Sequence, residues 1–158
     1  MLGCFAPCHG CIDNAIHSAA GIKLRAECYE IMKQQGHEEE TGIAKITKAY
    51  NLPCKHVIHT VGPIVSHVLT KELEEDLHSC YRACLECAVE NEVRTIAFCC
   101  ISTGEFHFQN ERACEIAIET VIKFLKENGA KIDRVIFNVF KDLDNDIYRK
   151  LVSLCKLI

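Results

Sequence analysis

Four residues near the start of the chain have the types and spacing for metal chemistry. Cys4, Cys8, His9 and Cys11 fall within eight residues, and thiolates plus an imidazole on a short loop suit Zn²⁺. The spacing Cys4-x4-His9-x-Cys11 supplies three ligands and leaves a fourth position for water or substrate, as catalytic zinc sites do. It is no standard Cys-x-x-Cys pair, and the competing reading is a reduced Cys-rich loop in a Cys-rich protein. Asp13 and Asn14 follow directly, at the start of a helix. Asp13 is either an N-cap or a carboxylate beside the metal that orients or deprotonates a water. Spacing does not separate the two.

A second candidate is the run Ile101-Ser102-Thr103-Gly104-Glu105-Phe106-His107-Phe108, between an apolar strand and a helix. Small residues there leave backbone N–H groups free to cradle a phosphate, with the helix dipole adding positive potential. The alternative is a tight connection with Ser as cap. Phe106 and Phe108, two aromatics in a polar loop, suggest walls for a ribose or base.

Three other groupings are better read as structure. Cys80, Cys84 and Cys87 continue a helical stripe with Leu73 and Leu77, which is core packing. His56 and His59 fall on opposite faces of a strand, His59 as a structural histidine. Glu38-Glu39-Glu40 is a solvated loop.

Helix and strand must alternate to position these groups. Ile16, Ala19, Ala20, Leu24, Cys28 and Ile31 recur at helical spacing up to Gly36. A polar stretch runs from 37 to 48, Asn51-Leu52-Pro53 is a turn, and 56–61 is a strand closed by Gly62-Pro63. A helix over 71–90, a strand over 95–101 buried on both faces, a helix over 109–128 ended by Gly129, a strand over 134–140 and a helix over 144–157 follow. The pattern predicts a parallel-type sheet with helices on both faces. Three strands make a thin sheet, and no strand precedes the first loop, so strands upstream of Met1 are expected.

The 158 residues suit one domain, 49% hydrophobic and 25% charged, which is a globular composition. Acidic residues outnumber basic ones, 22 to 18, with no basic run, so nucleic acid is excluded as a partner and an anionic ligand must be held by backbone N–H groups. No apolar run is long enough for a membrane span and no signal peptide is evident, so a cytoplasmic location is expected. Twelve cysteines fit a reduced interior better than a disulfide framework. Cys99 and Cys100 in particular are expected in the core.

The order of these motifs resembles the macrodomain family, and within it the zinc-containing branch linked to bacterial and fungal sirtuins. The resemblance rests on Leu2 to Gly21 as zinc loop and following helix, Thr41-Gly42, Tyr50-Asn51-Leu52-Pro53, His56 to Pro63, and Ile101 to Phe108. It covers nearly the whole chain. It implies a three-layer α/β/α fold, ADP-ribose as ligand, and hydrolytic removal of mono-ADP-ribose from modified protein side chains. It makes Cys4, His9 and Cys11 the zinc ligands, with Cys8 a spectator. It places Asp13 near the distal ribose as the catalytic acidic residue, with Asn14 beside it among the ligand-binding residues. Ser102, Thr103, Gly104, Glu105, Phe106 and His107 match the second phosphate loop, with Phe106 by the distal ribose and Phe140 on the adenine side. Many members have Gly where this chain has His107.

The chain departs from the family at its front. Complete members carry upstream strands, an acidic residue for adenine and an Asn-Ala-Ala-Asn segment, which are absent here. The expectation is therefore a single domain, 1–158, with the N-terminal strands missing. Its function is zinc-assisted hydrolysis, or alternatively non-catalytic ADP-ribose binding or an inactive zinc-binding remnant.

Overall fold

The computed structural model describes residues 11–155. Helix α1 (Ile12–Ala20) is followed at once by α2 (Ile22–Gln35). One continuous helix was expected; Gly21 breaks it. Its φ of 86° is open to glycine, and a Cβ there would lie 2.8 Å from Asn51 Nδ2. Gly36, at φ 76°, ends α2 as the periodicity predicts.

The polar stretch contains a strand the hydropathy pattern hid. Residues Ala44–Lys48 form β1, antiparallel to β2 (His56–Thr60), with Thr47 opposite Val57 and Lys45 opposite His59. After α3 (Lys71–Glu90), capped by Thr70, comes β3 (Thr95–Phe98). It pairs in parallel with β4 (Arg134–Phe137), which follows α4 (Asn110–Asn128) and a short 3-10 turn, Gly129–Lys131. Helix α5 (Asp142–Cys155) ends the described chain. The sheet is thus mixed rather than parallel: among the described residues it consists of two two-stranded parts, β1–β2 and β3–β4.

The main core lies where α3 and α4 pack on β3. Leu77, Cys80, Tyr81, Cys84 and Leu85 of α3 meet Cys114, Ile116, Ala117 and Phe124 of α4, with Ile96 and Phe98 beneath. Cys80 and Cys84 are therefore core residues, as read, and Cys99 and Cys100 pack against the same cluster. Burial raises these thiols, Cys100 to about 12, so they stay protonated. Strand β3 is not buried on both faces. Ile96 and Phe98 point inward while Thr95 and Ala97 are exposed, because among the described residues helices cover one side only. A smaller core of Ala20, Leu24 and Cys28 joins α1 and α2 to Leu52 and Val57. No helix among the described residues is long and apolar enough to cross a membrane.

Candidate active site

Asp13 sits in the first turn of α1, where carboxylates suit the helix dipole. The cap itself is Cys11, whose Sγ accepts from the Asn14 N–H at 3.4 Å. Asp13 is thereby released from the capping role, which its spacing had left open. Its side chain, 39% exposed, faces His17 one turn on, with Oδ1 and Nε2 3.5 Å apart. His17 is fully buried, and burial lowers its pKa against the pull of Asp13. Burial outweighs the attraction, so His17 is neutral at pH 7 and the pair is not a full ion pair. Asn14 is held from the other side: Arg25 Nη2 of α2 donates to its Oδ1 at 3.2 Å.

Behind His17 stands His59 of β2, its ring centroid 6.1 Å away. His59 is buried and its Nε2 lies 2.9 Å from Thr47 Oγ1, the structural histidine expected, whereas His56 is exposed. Burial first, then the neighbouring His17, pulls the His59 pKa down to about 4. Sequence reasoning missed His17. The signal was present, because Asp13 and His17 at i, i+4 must share a helix face.

Strand β2 connects this pair to the second loop. Gly62, just past its end, packs so closely on residues 101–102 that a Cβ would overlap Ser102 Oγ and lie 2.7 Å from Ile101 Cγ2. Gly62 lies three steps of extended chain beyond His59, about 10 Å. The loop bends through two residues with positive φ, Ser102 at 64° and His107 at 56°. It is tied down at its ends. Ile101 N–H donates to Tyr81 Oη at 3.4 Å, Phe108 N–H to Ser102 O at 3.0 Å and His107 N–H to Gly104 O at 3.1 Å. Thr103 Oγ1 donates to Cys100 O at 3.2 Å, and Phe106 O accepts from Val65 N–H at 2.9 Å. Among the described residues no acceptor meets the backbone N–H groups of 102–106. They are available to an anion, as the run of small residues predicts.

Two side chains of the loop, Phe108 and Ser102, turn away from its open side. Phe108 is a core residue, not a wall, because it follows the loop into the cluster under α4. Ser102 turns its hydroxyl inward against Gly62, where it finds no hydrogen-bond partner among the described residues. Gly104, Glu105 and His107 are exposed and Phe106 is half-buried. Phe140 is 98% exposed, beyond the end of β4. The acidic run is not wholly solvated: Glu39 is buried and reaches Lys45 Nζ at 3.2 Å. Of the three residues read as zinc ligands, Cys4 and His9 lie outside the described residues. Cys11 is half-buried, and its sulfur at a helix N-terminus is a position that favours a negative ligand.

Comparison with known proteins turns this geometry into a family. The sequence pattern of the Macro domain matches residues 3–117, a span holding both α1 and the 101–108 loop. The chain belongs to the Macro domain family. A protein-ADP-ribose hydrolase of Treponema medium is 53% identical over 153 residues, 97% of this chain and 58% of the relative. The macrodomain of Oceanobacillus iheyensis, solved with ADP, superposes with a TM-score of 0.86 at 38% identity, covering 95% of this chain and 79% of that one. That of Trypanosoma brucei, solved with ADP-ribose, gives 0.82 at 36% identity over 96% of this chain and 58% of that one. The α/β Macro domain fold is thus shown for the described chain, which spans under two thirds of the curated relatives it matches.

Proposed function

We propose that this Macro domain is a hydrolase that releases mono-ADP-ribose from modified protein side chains. One observation carries the reading. A half-exposed carboxylate, Asp13, with a buried neutral histidine behind it, is linked through β2 to a loop with five backbone N–H groups that no acceptor among the described residues meets. The names of the relatives, and the ADP-ribose in a similar solved structure, support the same ligand.

The loop would hold the diphosphate through residues 102–106, needing no basic side chain in an acidic protein. Phe106 lies beside the distal ribose and Phe140 toward the adenine. Asp13 accepts a proton from the water that attacks the anomeric carbon, and His17 is the positioning residue that holds the carboxylate. The bond from that carbon to the side-chain heteroatom breaks, and the heteroatom leaves with a proton. A cysteine sulfur at a helix N-terminus fits zinc, so Cys4, His9 and Cys11 would hold Zn²⁺ on this reading. The ion supplies Lewis acidity toward an oxygen of the distal ribose or a water.

The test is ADP-ribose release from a mono-ADP-ribosylated protein by the wild type and by Asp13→Ala. Loss of general-base help costs roughly 100-fold or more in rate, with ADP-ribose affinity in calorimetry little changed. An equally active Asp13→Ala would take Asp13 out of the mechanism. Binding without any release by the wild type would make the chain an ADP-ribose reader.

A further inference from the structure

Outside the N-terminal loop, one group of side chains has the chemistry of a metal site. His17 of α1, Cys28 of α2 and His59 of β2 are all buried, and their ligand atoms lie within 4.8 Å of one another. Cys28 Sγ is 4.0 Å from His59 Nε2. Among the described residues neither ring nitrogen of His17 has a hydrogen-bond partner, the Asp13 carboxylate standing off at 3.5 Å from Nε2. A buried imidazole with both nitrogens unsatisfied is rare and calls for an explanation. The surrounding core is small, with only Ala20, Leu24 and Cys28 fully buried in it.

We propose that His17, Cys28 and His59 form a second zinc site, with the Asp13 carboxylate as fourth ligand. The geometry is close. Donors of a tetrahedral zinc with these bond lengths stand about 3.4–3.6 Å apart. Asp13 Oδ1 and His17 Nε2 are already 3.5 Å apart, and the ligand atoms of His17, Cys28 and His59, within 4.8 Å of one another, would close by up to about 1.3 Å at bond lengths of about 2.0–2.3 Å. Thr47 Oγ1, which now meets His59 Nε2, has a second acceptor in Val57 O at 3.5 Å, so freeing that nitrogen leaves no stranded hydroxyl.

Charge selects the ion. As the S–Zn bond forms, the Cys28 thiol gives its proton to solvent. Zn²⁺, one thiolate and one carboxylate then sum to zero, a total that a site with three buried ligands holds at low cost. The ion would fasten α1, α2 and β2 together. It would also occupy the carboxylate that the proposed hydrolysis needs, so excess zinc is expected to slow that reaction. The site does not depend on the loop ligands Cys4, His9 and Cys11, and the test separates the two.

Chelator-treated wild type, Cys11→Ala and Cys11→Ala/Cys28→Ser are each loaded with zinc, desalted and analysed for metal, then repeated with Co²⁺. Cys11→Ala should retain one zinc per chain, and its cobalt form should show thiolate-to-cobalt absorption. The double variant should lose both. Wild type should hold two zinc ions if the loop site also binds, and one if only the buried site does. The ring ¹⁵N shifts of His17 and His59 should both move when zinc is added to Cys11→Ala, a readout that does not require the double variant to fold. A metal-free Cys11→Ala, cobalt absorption that survives Cys28→Ser, or bound zinc with both rings unmoved would overturn the proposal.

Discussion

Among the described glycines, Gly62 is the one whose replacement is most constrained. Its Cβ would have to share space with Ser102 Oγ and Ile101 Cγ2. Gly62→Ala should therefore lower stability by about 1–3 kcal/mol, the usual range for overpacking, and should distort the phosphate loop. Denaturant unfolding reads the first effect and ADP-ribose calorimetry the second. Adding Ser102→Gly should recover part of both, since it removes the clashing hydroxyl and the side chain at φ 64°. An unaltered Gly62→Ala protein would show that the contact is slack. His59 gives a pH dependence. Its folded pKa is depressed to about 4, whereas an unfolded histidine titrates near 6.5. The unfolded state binds the proton more readily, so this contribution is fully present above about pH 6.5 and is lost as pH falls toward 4, about 3 kcal/mol in all. In metal-free protein, His59→Gln should flatten the stability profile between those pH values. A slope unchanged by the substitution would assign the titration elsewhere.

At the scale of elements, the 101–108 loop and the helix after it would carry the proposed phosphate site. A Cβ on Gly104 would meet nothing within 4 Å. Gly104→Val should leave melting unchanged yet weaken ADP-ribose binding, because its branches stand over the free N–H groups. A tenfold loss corresponds to about 1.4 kcal/mol, and unchanged affinity would remove this loop from the site. Elements with ordinary amphipathic patterns were legible from sequence: α3 through the Leu73, Leu77, Cys80 and Cys84 stripe, α4 through its length and Gly129. Strand β1 was not. Its most buried residue is Thr47, which faces His59, while Ile46 is only half-buried. A polar inward face with lysines on either side carries no period-two signal, and pairing with β2 makes the strand. The break at Gly21 was equally hidden, because it answers to Asn51, thirty residues on. The proposed site was readable from sequence where its chemistry is local, in Asp13 and residues 102–107. His17 and Gly62 depend on tertiary contact, and were not.

For the whole molecule, the two-part sheet sets the solution behaviour of the described chain. Among the described residues β2 and β3 each pair on one side only, and the face of Thr95, Ala97 and Ile136 is exposed. Phe140 and Leu143 add apolar surface beside it. Unpaired strands and open apolar faces invite association. Sedimentation should show mass rising with concentration for the 158-residue chain, and Ala97→Lys/Ile136→Lys should reduce that rise without unfolding the α3–α4 core. A chain that stays monomeric at millimolar concentration would show the face is already covered.

The Gly62–Ser102 contact also orders the history available to this surface. Alanine at 62 is harmful while serine stands at 102, but glycine at 102 is compatible with glycine at 62. A lineage can therefore reach a chain altered at both positions through Ser102→Gly first, and hardly at all by the other order. Homologues with alanine at 62 should, on this account, carry glycine at 102 and a smaller or shifted side chain at 101, so that the positions vary together although about forty residues separate them.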